Sequence, residues 1–212
     1  MVKDQEIITE HFPALNEETI NKLITFGEHI TFWNDKINVI SRKDIEQIIP
    51  HHILHSLFIK KLINFTPGTK VLDLGTGGGF PGMPLAICFP EVEFHLVDAR
   101  AKKISVINEA IELLELKNVK AEHKRVEEMK EKFDFVVSRA VASVEKLLSW
   151  SRPRINDKDK NAISNGMIML KGGDLEQLKT EMKIADYYED FQISEWTSIP
   201  YYLEKYIIYI QT

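Results

Sequence analysis

From Lys70 onward, short apolar runs alternate with amphipathic stretches in a steady rhythm. "KVLDLG" (70–75), "EVEFHLVDA" (91–99), "VKAEH" (119–123), "FDFVVSRA" (133–140) and "SNGMIMLKG" (164–172) read as strands, most of them apolar enough to be buried on both faces. Between and after them, "FPGMPLAICF" (80–89), "KKISVINEAIELLEL" (102–116), "SVEKLLSW" (143–150) and "DLEQLKTEMKIA" (174–185) read as helices. Regular β-α alternation predicts an α/β fold, a parallel sheet with helices on both faces. The rhythm then stops. "DFQISEWTSI" (190–199) and "YLEKYIIYIQ" (202–211) are two strand-like runs joined only by Pro200 and Tyr201. So short a joint makes an antiparallel pair, because a parallel crossover takes about a dozen residues or more.

Upstream the period is helical. Residues 17–35 place Ile20, Leu23, Ile24, His29 and Trp33 on one face, and 43–64 predicts a second helix broken at Pro50. "TPGT" (66–69) is a turn, where the texture changes. The expected organisation is a helical extension, 1–66, packed on a sheet domain, 67–212, as one globular unit.

Composition adds limits. The 212 residues are 44% hydrophobic and 28% charged, enough for a substantial core. No apolar run approaches the roughly 18 residues of a membrane span, and no charged-then-apolar leader opens the chain. Cys88 is the single cysteine, so no internal disulfide forms and a reducing compartment is expected. A soluble cytoplasmic protein follows as the expectation; a monomer is also expected, although nothing in the sequence bears on oligomeric state. The net charge of −5 excludes a wholesale polycation but not a local basic face. Basic residues cluster at Arg100, Lys102 and Lys103, at Lys124 and Arg125, and at Arg152, Arg154, Lys158 and Lys160; each cluster also reads as a solvated surface.

Chemistry concentrates in "VLDLGTGGGFPG" (71–82). Gly75, Gly77 and Gly79 follow the first strand of the α/β region, where backbone must turn sharply and approach a ligand. Asp98 ends the next strand, 23 positions after Gly75, where a carboxylate can accept both ribose hydroxyls of a nucleotide cofactor. A pyrophosphate cofactor calls for G-x-G-x-x-G, whereas this loop reads G-x-G-x-G behind Asp73. That acid faces where a methionine ammonium would lie and would repel a pyrophosphate. The D-x-G-x-G-x-G form resembles the cofactor loop of class I methyltransferases, whose sheet also reverses its last strand. S-adenosylmethionine is therefore expected. Val126 and Glu127, just past the third strand, suit the adenine or simply open a charged helix. Arg139, at the end of the fourth strand, sits on the rim where ligands of open α/β sheets bind.

Absences narrow the reaction. The fourth strand ends in "SRAV", without the Asn-or-Asp-Pro-Pro-aromatic turn of amino-methylating DNA enzymes. Cys88 falls inside a helix, unsuited to the thiolate of cytosine-C5 methylation. No Lys-Asp-Lys-Glu ribose-methylation set is evident. His51 and His55 share a helical face, but no third ligand stands beside them, so no metal is expected. Guanine N7, with a free lone pair and no proton, suits a site without acid or base.

At "FWNDKINVIS" (32–41), "HHILHSL" (51–57), "VLDLGTGGGFPGMPLAICFPE" (71–91), "RVEE" (125–128), "FDFVVSRAVASVEKLLSW" (133–150) and "MLKGG" (169–173) the chain resembles the bacterial 16S ribosomal RNA guanine-N7 methyltransferases called RsmG or GidB. The resemblance implies cofactor contacts at Gly75, Phe80, Val126, Glu127 and Arg139, and methylation of a guanine N7 in the small-subunit 530 loop. It departs at His55, where many relatives carry Asp, and at Gly78, where many carry Pro or Ala. Lys171 and the basic side chains of "SRPRINDKDKNAISNG" (151–166) are candidate RNA contacts. Two rival functions stay open: a small-molecule methyltransferase, and a non-catalytic cofactor-binding protein of ribosome assembly.

Overall fold

The computed structural model describes residues 2–41, 44–139 and 142–212. A first helix, α1 (Val2–His11), has no counterpart in the sequence reading. Its residues are mostly polar, and the fully buried Ile8 is its anchor in the core. Helix α2 (Glu17–Asn34) begins where expected, because the Asn16 side chain accepts from the Thr19 N–H and caps the first turn. The segment expected as one broken helix is a chain of short turns. A 3-10 turn (Ile45–Gln47), a π-helical turn (Ile49–Ile53), α3 (Leu54–Leu57) and α4 (Ile59–Leu62) follow one another. Pro50 lies in the first turn of the π segment, where a missing N–H costs nothing.

Next come β1 (Lys70–Leu74), α5 (Gly82–Cys88), β2 (Glu93–Asp98), α6 (Ala101–Leu113), β3 (Val119–His123) and β4 (Phe135–Arg139). Then follow α7 (Val144–Ser151), β5 (Gly166–Gly172), α8 (Leu175–Met182), β6 (Tyr188–Gln192) and β7 (Lys205–Gln211). The seven strands are ordered β3-β2-β1-β4-β5-β7-β6. β1 to β5 run parallel, and β7 runs antiparallel between β5 and β6. The expected fold class is observed: a mostly parallel α/β sheet, antiparallel at its C-terminal end.

The hairpin argument needs correction in its detail. β6 starts and ends earlier than the expected run, and residues 193–204 separate it from β7. That connection carries 3-10 turns at Ile193–Glu195 and Pro200–Tyr202. Its apolar residues are claimed by the core: Ile193 and Tyr202 are fully buried, and Trp196 stacks against Phe58. Tertiary packing overrides the strand propensity of "SEWTSI".

Two apolar layers cover the sheet. Alternation along β1 sends Val71 into the layer with Ile8, Leu23, Phe26, Phe80 and Ile107, and Leu72 into the layer with Val136, Leu148 and Met182. The N-terminal helices thus share one continuous core with α5 and α6.

Candidate cofactor and substrate site

The parallel strands end on one rim, and the strand order reverses between β1 and β4. Open α/β sheets bind ligands in the crevice at such a switch point. A cavity of about 820 Å³ lies there, lined by the ends of β1, β2, β4 and β5, the turn after β3, the start of β7, and Val39–Ser41, His52 and His55.

The loop after β1 forms its floor. Gly75, Gly77 and Gly79 all have positive φ (70°, 59° and 88°), the region L side chains avoid. Gly75, Gly77, Gly78 and Phe80 line the cavity, whereas Gly79 does not. A Cβ on Gly79 would meet Met83, Ile107 and Phe26 within 3.0 Å, so this glycine lets the loop pack closely against side chains of α5, α6 and α2.

Asp73 does not face the cavity. It is fully buried; Oδ2 accepts from the Thr76 hydroxyl (2.6 Å) and the Gly82 N–H (2.8 Å), while Oδ1 has no partner. The expectation that it meets the cofactor's ammonium is corrected: it clamps the two ends of the glycine loop. Burial is the chief cause that raises its carboxyl to about 6, against hydrogen bonds from Thr76 and Gly82 that lower it. The raised folded-state value means that Asp73 favours the folded state fully below its ordinary 3.8, and that this contribution is lost as pH rises through about 6. Asp73→Asn, which does not titrate, is therefore expected to gain stability relative to wild type by up to roughly 3 kcal/mol between pH 4 and pH 7. Urea unfolding of both proteins at several pH values checks this; a difference that does not change with pH refutes it.

Asp98 does line the cavity, at the end of β2. Its Oδ2 accepts from the Gly77 N–H and its Oδ1 from the Arg100 N–H, each at 2.9 Å. These bonds fix the carboxylate plane, and each oxygen keeps a lone pair for a ligand hydroxyl. Val126 and Glu127, in a 3-10 turn after β3, line the next stretch of wall. Expected cofactor residues Gly75, Gly77, Phe80, Asp98, Val126, Glu127 and Arg139 thus share one cavity. These residues fit an adenosine: a carboxylate for a ribose, a glycine floor, and the apolar Val126 with a free acid beyond it.

Arg139, at the end of β4, marks the middle. Its guanidinium donates to His52 Nδ1 (2.9 Å) and lies 4.8 Å from the centre of the Phe80 ring. Burial lowers its pKa to about 10, so it stays charged at neutral pH. Burial, then the Arg139 charge, pushes His52 down to about 3, and His55 also well below the usual histidine range. Cys88, on α5, is held as a thiol by burial, its pKa pushed up to about 12.

Cations line both halves of the cavity, but acids line only one. Arg100, Lys103, Lys124 and Arg125 flank the β1–β3 half, together with the only lining carboxylates among the described residues, Asp98 and Glu127. Beyond Arg139, the β4–β7 half presents Lys146, Lys171 and Lys205, with Trp150 and Tyr201 and no lining acid. Sequence reasoning listed Lys171, left His52 and His55 without a role, and missed Lys146, Tyr201 and Lys205. The clusters at 100–103 and 124–125 were visible, and the structure puts Arg100, Lys103, Lys124 and Arg125 on the cavity mouth.

The loop at 151–166 is elsewhere. Arg154 is buried, donating to the Trp150 and Met129 carbonyls, and Lys160 pairs with Asp134 (2.8 Å) and donates to Gly68 O. Asp134 and Gly68 precede β4 and β1, so this loop lies at the opposite rim. Arg152, Arg154, Lys158 and Lys160 do not join the cavity.

Comparison with known proteins is decisive here. The family "rRNA small subunit methyltransferase G" (GidB) matches residues 19–196. The chain belongs to that family. A protein named ribosomal RNA small subunit methyltransferase G in Phocaeicola vulgatus is 49% identical over 205 residues, covering 97% of each chain. Its namesake in Bacteroides thetaiotaomicron is 55% identical over 171 residues, 81% of this chain and 83% of that one. Among solved structures, the T. thermophilus 16S rRNA N2 methyltransferase RsmC, in complex with AdoMet and guanosine, superposes with a TM-score of 0.55 at 14% identity. That match covers 82% of this chain and 44% of the other. A precorrin-6y methyltransferase from Geobacter metallireducens reaches 0.55 at 11% identity, over 75% of this chain and 88% of the other. Both speak to the fold, the class I methyltransferase sheet.

Proposed function

We propose that this chain transfers the methyl group of S-adenosylmethionine to N7 of a guanine in the 530 loop of 16S rRNA, acting as a cytoplasmic monomer on the small ribosomal subunit or a precursor of it. One observation carries the reading. The cavity divides at Arg139 into an adenosine-shaped half, with Asp98 fixed by Gly77 and Arg100, and an acid-free cationic half suited to a phosphodiester backbone. The chain's net charge is negative, yet the wall beyond Arg139 carries Lys146, Lys171 and Lys205 and no lining acid among the described residues.

S-adenosylmethionine, when bound, supplies an electrophilic methyl on a sulfonium. With the cofactor held by Asp98, the glycine floor and Val126, a guanine N7 lone pair would take that methyl while sulfur kept the C–S electron pair. No proton leaves N7, so no general base is required. Among the described residues, the acids on the wall, Asp98 and Glu127, belong to the cofactor half; His52 already accepts from Arg139, and Asp73 is sealed in the core. The positive charge would pass from sulfur to base, toward the wall of Lys146, Lys171 and Lys205, and the phosphates of a docked RNA would offset those cations. Catalysis rests on placing N7 and the methyl in line.

The test has two arms. Calorimetry should show binding of S-adenosylmethionine and none of comparable strength for NAD. Reverse-transcription mapping of 30S subunits treated with protein and cofactor should show one new N7-methylguanine, in the 530 loop. Tight NAD binding, or no modified guanine there, overturns the reading. Methylation of a small metabolite but not of 30S would favour the small-molecule alternative.

Asp98→Ala offers a separate check on the adenosine half. A carboxylate accepting ribose hydroxyls contributes roughly 1.5–3 kcal/mol, so affinity for the cofactor is expected to fall about tenfold to 100-fold with the fold intact. An unchanged dissociation constant takes Asp98 off the ribose.

A further inference from the structure

The histidine run at 51–55 has no part in the chemistry above, yet it surrounds Arg139. His52 Nδ1 accepts from the guanidinium at 2.9 Å, which places the imidazole proton on Nε2. That Nε2 is buried without a hydrogen-bond partner. The Phe80 ring lies 4.8 Å from the same guanidinium. The His51 ring stacks on Tyr201 with centroids 3.7 Å apart, and His55 packs edge-on against Tyr201 and Tyr202. The Tyr202 hydroxyl donates to Pro50 O, tying these rings to the turn that carries His52. Among the described residues, no carboxylate forms an ion pair with Arg139. Arg139 is half-buried, and the carboxylates that favour its charge, Asp73 and Asp44, make no ion pair with it; an Asp or Glu at position 52 would be the ordinary way to pair it. The chain instead supplies a neutral acceptor and an aromatic wall.

We infer that His52 is a positioning residue for methyl transfer: it aims the Arg139 fork across the junction of the two cavity halves while leaving its charge available to an anion there. The inference rests on the methyl-transfer reading and on Arg139's place in it. A carboxylate would orient the guanidinium equally well but would neutralise it and occupy a second N–H. A neutral imidazole takes one N–H of five and no charge.

His52→Phe keeps a planar ring without the acceptor, and His52→Asn places an amide oxygen near the Nδ1 position. His52→Phe is expected to lower kcat on 30S subunits about tenfold to 100-fold, the loss associated with one hydrogen bond to a charged group. Its affinity for S-adenosylmethionine and its melting temperature should change little, and His52→Asn should recover most of the rate. A role confined to packing would reduce activity in any background. In an Arg139→Lys background, by contrast, His52→Phe should cost less than about twofold, because the partner it aims is already gone. Full activity of His52→Phe, or losses that multiply in the double variant, overturns the inference. If the variants do not fold, long-range nitrogen-proton NMR of the wild-type protein decides. A neutral Nε2–H tautomer of His52 at pH 7 supports the inference, and an Nδ1–H or doubly protonated ring refutes it. Should wild-type protein fail to methylate 30S at all, the rRNA reading falls, while the tautomer still answers for the His52–Arg139 bond.

Discussion

Arg139→Lys is expected to melt close to wild type and to methylate 30S subunits roughly 100-fold more slowly, the scale of loss when a reacting pair is misplaced by about 1 Å. The substituted ammonium keeps the positive charge. It cannot reproduce the planar fork that bonds His52 on one side and presents further N–H groups on the other. Charge and geometry are thereby separated in one variant. The measurement is transfer of labelled methyl to 30S at saturating cofactor, alongside a thermal melt. Wild-type rate would show that charge alone suffices. Unfolding would make Arg139 a structural residue of the β4 end.

Gly82→Ala is expected to be the more damaging change to the protein itself. Gly82 opens α5 and donates its N–H to Asp73 Oδ2 at 2.8 Å. A Cβ there would lie 2.6 Å from that oxygen and 2.9 Å from both Asp73 Cβ and Leu96 Cδ1. None of these is the free end of a flexible chain, since Asp73 is held by Thr76 as well. Overpacking plus a damaged buried hydrogen bond should cost roughly 2–5 kcal/mol. Cofactor affinity should fall with it, because the loop from Gly75 to Gly79 loses one anchor. Urea unfolding and calorimetry check both parts; a stability within about 0.5 kcal/mol of wild type sinks the claim.

The residues that were legible in the sequence are those whose place follows from local order. Gly75, Gly77, Asp98, Val126 and Arg139 each sit at or just past the end of a strand, and parallel strands deliver such ends to one rim. Asp73 sits in the same neighbourhood, but which way a strand residue faces depends on its burial. Spacing marked it as an acid near the loop without showing that it points into the core. Local pattern does not say which rim the loop at 151–166 occupies: it joins a helix to the next parallel strand, and such connections fall on the rim opposite the cavity. Tyr201, Lys205 and the role of His52 were invisible on firmer grounds. Only the insertion of β7 between β5 and β6, and the packing of Tyr202 against Pro50, bring residues some 150 positions apart onto one wall. Helix α1 escaped because its stability comes from one buried face, centred on Ile8, and not from its own pattern.

The reversed strand also imposes an order in time. Gly75, Asp98 and Glu127 all belong to the span from β1 to the turn after β3, so the cofactor wall is assembled from neighbours in the chain. Tyr201 and Lys205 leave the ribosome after every other segment of the cavity, and the free edge of β5 stays unpaired until β7 reaches it. A nascent chain that has emerged only through β5 carries the β1–β3 half of the cavity together with Lys146, Trp150 and Lys171, but it lacks the finished sheet and the part of the far wall that Tyr201 and Lys205 supply. The strand that seals the sheet is thus also the one that completes the cavity, so the open edge and the unfinished wall close in a single event.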